Sequence, residues 1–457
     1  MKLEDVVRWT GASVQGPPCG LCTSVTQDSR TVKPGSLYVA LKGARLDGHV
    51  FVASALKQGA CAALVEAGRE IPDVAPDAPL LRVPDTYAAL TRLAAGWRST
   101  FHAPETRLVG LTGSSGKTTT RTMTAVLLAA TGGKVASTSG NLNNHIGLPL
   151  SLLAMEQGTA FGVFETGVNH PGEMDALAAT LRPDAVIVTN IGTAHIEFFR
   201  TKAGIAEEKG KLLAALPPDG FAVLNTETDC FDSLAGRTVA RKVTVSFKRT
   251  DADFFGELRD GGRGLVAVRE RATGCETLLE SGLPGQHNAD DLLLAFATAR
   301  AFGVPPDACV EALRGLSLPG MRWREEMRDG VKIVNDAYNA NPDSMAASVR
   351  TFLGLPCAGR RILVLGDMYE LGGLSESLHR GVGDLVAECR PDGVLFVGDL
   401  MAAARDQAIR RGFPEERALW AKTAADAAPK LATLAKSGDS VLLKASRGVA
   451  LERLLQC

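Results

Sequence analysis

Apolar runs separated by helix-like spacing divide the chain into three stretches. In the first, apolar and polar residues alternate at 36–41, a helical spacing follows at 51–59, and 60–65 reads as a strand. Together they predict a small α/β module. Residues 86–98 then space their apolar side chains as an amphipathic helix leading into the next stretch. There a strand at 108–112, a glycine turn at 113–116 and a helix at 117–130 come first, with further buried-strand candidates at 161–164, 185–189 and 221–224. This alternation predicts βαβ units and a mostly parallel sheet. Residues 243–279 alternate with many charges and glycines, so antiparallel strands are expected there, and a helix over 289–302 closes the block. Strand candidates at 332–335, 361–365, 394–397 and 440–444, separated by helical segments, predict another doubly wound sheet. The expectation is an α/β protein of three domains, at 1–85, 86–316 and 317–457.

Composition narrows the class. A chain of 457 residues exceeds one ordinary core, and 45% hydrophobic with 22% charged residues is a globular balance. The net charge of −1 gives no global field for nucleic acid or anionic membrane, so an anionic ligand needs a local site. No apolar segment approaches the roughly 20 residues that cross a bilayer. The opening residues, Met1-Lys-Leu-Glu-Asp5, lack the pattern of a secretory signal, and nine scattered cysteines suit reduced thiols, so a cytoplasmic protein is expected. Cys19-Gly-Leu-Cys22 is a lone C-x-x-C without the second pair of a zinc site.

The sharpest chemical signal is Thr112-Gly-Ser-Ser-Gly-Lys-Thr-Thr119, between a predicted strand and a predicted helix. Glycines there let backbone N–H groups converge on phosphate oxygens at a helix N-terminus. Residues 113–119 (Gly113, Ser114, Ser115, Gly116, Lys117, Thr118 and Thr119) form the candidate nucleotide loop. Lys117 would bridge the β- and γ-phosphates and the Thr118 hydroxyl would ligate Mg²⁺. The strict G-x-x-x-x-G-K-[ST] pattern wants glycine at 111, where Leu111 stands; the glycines are Gly110, Gly113 and Gly116. Glu165 ends another strand candidate, where ligands bind in parallel sheets. It is a candidate to hold Mg²⁺, with a solvated strand-end glutamate as the plain alternative.

The variant phosphate loop resembles that of the Mur ligase family, the peptidoglycan-building enzymes related to folylpolyglutamate synthase. The resemblance implies a uridine-nucleotide module, a central P-loop-type parallel-sheet ATPase domain and a Rossmann-like C-terminal domain. It also implies an ATP-dependent ligase that makes a C–N bond through an acyl phosphate and needs two Mg²⁺ ions. His195, in Thr189-Asn-Ile-Gly-Thr-Ala-His195, resembles the family's second-metal histidine, although imidazole is an unusual Mg²⁺ ligand. Lys209 falls where several members carry a carbamylated lysine, a CO₂-derived group that would turn it into a metal ligand; its plain reading is a surface lysine in a charged helix. Asn288, in Leu283-Pro-Gly-Gln-His-Asn288, matches a residue approaching adenine, with helix capping as the alternative. Arg322 falls where a γ-phosphate arginine is expected, although Met321 shifts the usual spacing, and Asp336 matches an acceptor for the ATP ribose.

In the first module Gln27-Asp-Ser-Arg30, Leu41-Lys-Gly43 and Asp47-Gly-His49 resemble the family's uridine-nucleotide site, with Ser29, Arg30 and Lys42 as its contacts. The segments Asn335-Asp-Ala-Tyr-Asn-Ala-Asn-Pro342 and Leu365-Gly-Asp-Met-Tyr-Glu-Leu-Gly372, with Asn141, Asn143 and Asn144, resemble members that join UDP-N-acetylmuramoyl-tripeptide to D-alanyl-D-alanine. Tyr338, Asn339 and Asn341 then face the substrates, and Asn341-Pro342 also reads as a helix cap and first residue. A monomer acting without nucleic acid or membrane is expected. Two alternatives stand beside this reading: a relative adding diaminopimelate or lysine, and a nucleotide-dependent regulatory ATPase.

Overall fold

The computed structural model describes residues 1–17 and 20–455, so Cys19 of the C-x-x-C pair lies outside the described residues. Three sheets follow one another along the chain. The first has five strands in the order Ser13–Gln15, Leu80–Val83, Ala62–Glu66, Ser36–Val39, Ser24–Thr26, all parallel except the short first one. The strand Ser36–Val39 is buried at every position, which is why it carries a run of large side chains (Leu37, Tyr38, Val39) and not a half-polar face. The helix Thr86–Arg98 spans the residues its spacing predicts, and the Asp85 carboxylate caps it by accepting from Ala88 N.

The second sheet has nine strands. From one edge they run Lys134–Ser137, Thr159–Glu165, Arg107–Thr112, Ala185–Val188, Phe221–Asn225, Arg241–Ser246, Phe254–Leu258, Leu265–Glu270 and Glu276–Glu280. The first seven are mutually parallel and only the last three pair antiparallel. Arg241–Ser246 therefore departs from the antiparallel expectation for 243–279. The helix Phe231–Ala235 makes a crossover after Phe221–Asn225 and returns the chain to the same end of the sheet, which forces parallel pairing. The helix Gln286–Ala301 packs on the phosphate-loop helix Lys117–Ala129 and buries an almost continuous apolar run, Leu292 to Ala297.

The third sheet is ordered Arg324–Arg328, Val331–Asn335, Ser440–Lys444, Arg361–Gly366, Gly393–Val397, Ala418–Ala421, parallel after its first pair. Residues at or just beyond the carboxyl ends of the strands in both larger sheets line one cavity of about 660 Å³: Glu165, Thr189 and Asn225 from the second, Asp336 and Lys444 from the third. Ligands in parallel α/β sheets bind at such ends. Here two sheets present them to a shared space. Among the described residues, no helix is long and apolar enough to cross a membrane.

Candidate active site

The loop between Arg107–Thr112 and Lys117–Ala129 owes its shape to two glycines. Gly113 has φ 153° and a Cβ there would lie 1.8 Å from Thr189 Oγ1; Gly116 has φ 76° and a Cβ there would lie 2.3 Å from Asp291 Oδ1. Both positions require glycine. The loop rests on the neighbouring strand end: Asn190 Oδ1 accepts from Ser114 N at 3.1 Å and Ser115 N at 2.9 Å, and Thr189 Oγ1 donates to Ser115 O. Ser114, Ser115, Gly116, Lys117, Thr118 and Thr119 line the cavity. Lys117 Nζ donates to Gly113 O at 2.7 Å. Burial lowers the Lys117 pKa, Glu165 opposes that shift, and Arg322 adds to it. A half-buried cation that faces the cavity is electrostatically prepared for an anion.

Glu165 is 1% exposed. Its Oε2 accepts from Asn143 Nδ2 at 3.3 Å, while Oε1 lies 3.2 Å from Arg121 Nε. Neither Oε1 nor Arg121 Nε makes a hydrogen bond of regular geometry, so the contact is an ion pair out of line. A buried carboxylate oxygen without a hydrogen bond, on a cavity that Thr118 also lines, offers oxygen donors of the kind a hard divalent cation takes. Arg121 was missed in the sequence, although it lies four residues after Lys117 and hence on the same helix face.

Lys209 lies on the helix Lys202–Ala214 and is 2% exposed, so the plain surface reading is wrong. Ile205 and Leu212, also buried, share its face. Burial drives the Lys209 pKa well down, with repulsion from Lys117 adding and Glu208 opposing. Among the described residues its ammonium makes no hydrogen bond or ion pair. Such a group is costly as a cation and prone to be a neutral amine.

Arg322 crosses from the third stretch to the phosphate loop: Nη2 donates to Thr118 Oγ1 at 3.0 Å and the guanidinium lies 3.8 Å over the Tyr338 ring. The intervening Met321 does not prevent that reach. Asp336 is largely engaged: Oδ2 accepts from Lys444 Nζ at 2.7 Å and Ser348 Oγ at 2.6 Å, and Oδ1 from Trp323 N at 3.3 Å. Asn288 does not cap its helix; Gly285 does, and Asn288 Nδ2 donates to Pro284 O. His287 beside it has its pKa lowered by burial to about 4 and packs near Trp323. Asp290 is raised by burial to about 7. Asn341 Oδ1 caps the helix Pro342–Gly354 within a capping box, and Asn339 Oδ1 accepts from Ala340 N.

The cavity brings together Asn141, Asn143, Glu165, His195, Asn288, Arg322, Asp336, Tyr338, Asn339 and Asn341 with the phosphate loop. Gly113, Asn144 and Lys209 do not line it; Asn144 is exposed, and its Oδ1 accepts from Ile146 N and Gly147 N. Ser29, Arg30 and Lys42 lie elsewhere, on the first sheet. Their segments leave the carboxyl ends of the adjacent parallel strands Ser24–Thr26 and Ser36–Val39, so they share one edge. Arg30 is exposed and pairs with Asp28 at 2.7 Å. The Lys42 carbonyl accepts from Tyr87 Oη, whose ring lies 5.9 Å from that of His145. Besides Arg121, the residues missed in the sequence are Asn190, His287, Asp290, Asp291, Asp343, Glu370 and Lys444. Lys444 closes a strand already legible as one, and strand-end position was the signal that could have found it.

A phosphate loop at the head of a parallel sheet, with a second α/β layer supplying an arginine to it, defines a nucleotide-using enzyme whose site is completed across domains. The chain belongs to the Mur ligase family: the Mur ligase middle domain matches residues 111–299, the glutamate ligase domain 321–447 and the family's catalytic domain 22–98. A UDP-N-acetylmuramoyl-tripeptide–D-alanyl-D-alanine ligase of Escherichia coli (strain K12) is 36% identical over 437 residues, covering 95% of this chain and 93% of the relative. The crystal structure of MurF from Acinetobacter baumannii aligns with TM-score 0.88 at 28% identity, covering 100% and 98% of the two chains. MurF ligase from Thermotoga maritima in complex with ADP aligns with TM-score 0.80 at 28% identity, covering 95% and 96%.

Proposed function

We propose that this chain is an ATP-dependent ligase that joins D-alanyl-D-alanine to UDP-N-acetylmuramoyl-tripeptide in peptidoglycan precursor synthesis. The observation that carries the chemistry is the convergence of Lys117, Glu165 and Arg322 on one cavity between two α/β layers. The ligase relatives and the ADP-bound neighbour support the choice of substrates and of ATP.

In this reading an oxygen of the tripeptide carboxylate attacks the γ-phosphorus of ATP and ADP leaves, which gives an acyl phosphate. The amine of D-alanyl-D-alanine then attacks the acyl carbon, loses a proton, and phosphate departs. Lys117 and Arg322 offset charge on the transferring phosphoryl group, and the backbone amides of the loop hold it. Thr118, Glu165, His195 and a carbamylated Lys209 would hold two Mg²⁺ ions, which supply charge neutralisation for phosphoryl transfer. The Glu165 oxygen that lacks a hydrogen bond and the burial of Lys209, which Glu208 only partly offsets, support that assignment. Asn288 and His287 face adenine. Asp336 holds Lys444 toward the nucleotide and keeps lone pairs for the ribose. Asn141, Asn143, Tyr338, Asn339 and Asn341 contact the peptide substrates.

Ser29, Arg30 and Lys42 hold the uridine nucleotide at the edge of the first sheet. The path from Lys42 through Tyr87 to His145 supports a substrate that runs from that edge into the cavity. The corresponding domains are 1–85, 86–316 and 317–457. A monomer in the cytoplasm, where ATP is made available, fits this reaction. The decisive assay is phosphate release from ATP and magnesium with UDP-N-acetylmuramoyl-tripeptide, with D-alanyl-D-alanine, diaminopimelate or lysine offered in turn. Stimulation by the dipeptide alone is expected; stimulation by one of the single amino acids instead would reject the assignment.

A further inference from the structure

The loop after Ala185–Val188 touches the phosphate loop on one side and the third layer on the other. Toward the phosphate loop, Asn190 accepts from Ser114 N and Ser115 N, and Gly192 N donates to Ser114 Oγ at 2.9 Å. Toward the third layer it meets two carboxylates. Asp343 Oδ2 accepts from Thr193 N and Thr193 Oγ1, both at 2.7 Å, and Glu370 Oε2 lies 2.5 Å from His195 Nδ1. The approach is close: a Cβ on Gly192 would lie 2.5 Å from Asp343 Oδ2, and one on Gly372 (φ 53°) would lie 2.7 Å from Glu197 Cγ. His195 (φ 59°) and Glu370 (φ 62°) both adopt left-handed backbone, which side-chain-bearing residues do at a cost. The Glu370 oxygen sits off the N–H axis of the ring, so the contact is a close polar one without regular hydrogen-bond geometry.

We propose that Glu370 is a positioning residue for His195, delivered by the third domain, and that residues 190–195 couple closure of that domain to the phosphate site. The proposal rests on the ligase reading above. A carboxylate against Nδ1 fixes the plane and direction of a ring that lines the cavity. Withdrawal of the third domain removes Glu370 and Asp343 together, so His195 is oriented only when the domain is shut. A site completed only on closure keeps water from a hydrolysable acyl phosphate. The contacts from Asp343 and Glu370 through 192–195 to Ser114 and Ser115 form one continuous network that the third domain completes.

A double-mutant cycle tests this with full-length protein. Glu370→Ala, Glu370→Gln, His195→Ala and the Ala/Ala double variant are compared for phosphate release with both substrates. Closure is followed by X-ray scattering with magnesium and the unreactive analogue AMP-PNP. Glu370→Ala should lower kcat by about 10- to 100-fold while KM for ATP stays within about threefold. Glu370→Gln, which keeps an acceptor oxygen, should recover most of that loss. In the His195→Ala background the same substitution should cost less than about twofold. The nucleotide-bound scattering profile of Glu370→Ala should be more extended than that of the wild type. Equal fold-losses in both backgrounds, wild-type turnover in Glu370→Ala, or unchanged scattering would each overturn the proposal. A wild type that releases no phosphate with the dipeptide refutes the ligase reading instead, and the scattering comparison then still decides the closure claim.

Discussion

Lys209 shows how much one buried side chain constrains the chemistry. A fully buried ammonium without a partner costs several kcal/mol as an ideal cation, so the group is either discharged or chemically converted. A lowered pKa supplies the neutral amine that reacts with CO₂ near neutral pH. Turnover should therefore fall in decarbonated buffer and return on adding bicarbonate, and Lys209→Ala should lose about 100-fold in kcat without losing melting temperature. A Lys209→Met variant with wild-type turnover would reject the carbamate. The sequence shows Lys209 among Glu207, Glu208 and Lys211, and those charges hide it. The spacing Ile205, Lys209, Leu212 is the apolar face of the helix, and it was legible. Two further groups oppose one another. His287, with its pKa near 4, contributes stability that is present above pH 6.5 and lost as pH falls toward 4. Asp290, with its pKa near 7, contributes stability that is present below about pH 4 and lost as pH rises toward 7. Both face the cavity and its water, so each effect is discounted to about 1–2 kcal/mol. Over pH 4–6.5 they nearly cancel. In urea titrations across that range, His287→Gln should lose stability as pH rises and Asp290→Asn should gain it, and parallel profiles for the two variants would contradict the assignment.

At the scale of elements, the phosphate loop depends on backbone that only glycine tolerates. Gly116→Ala places a methyl against the Asp291 carboxylate and strains a left-handed residue, at a cost of about 1–3 kcal/mol. The variant should fold, melt several degrees lower, and bind ATP at least about tenfold more weakly by calorimetry; wild-type affinity would mean that the loop shape is not needed for phosphate. This loop was legible because strand, turn and helix follow one another in the sequence. Arg241–Ser246 was not, because its alternation resembles that of the antiparallel strands after it. The crossover helix Phe231–Ala235 that makes it parallel has only five residues and no long periodic signal. The short strands Ser13–Gln15 and Ser24–Thr26 have little pattern of their own and exist because a neighbour pairs with them.

At the scale of the whole molecule, the three-layer organisation follows from counting apolar runs, but which loops meet across the layers does not. Asp343 and Glu370 find their partners at sequence separations of 150 and more, and no local pattern records such a contact. Arg322 spans 204 residues to reach Thr118, and a resemblance alone marked it. That reach has a thermodynamic consequence. A nucleotide held between two layers stabilises only the arrangement in which both contribute, and at about 100 times its Kd it adds roughly 2.7 kcal/mol to unfolding. Arg322→Ala removes the third layer's cation and its stacking on Tyr338, so nucleotide affinity should drop about tenfold, and the stabilisation at fixed ATP and magnesium by about 1.4 kcal/mol. Arg322→Lys keeps the charge but loses the planar fork and should recover only part of that difference. Scanning calorimetry with and without magnesium and ATP separates these outcomes. If Arg322→Ala gains as much from nucleotide as the wild type, Arg322 contributes nothing to the ground-state complex.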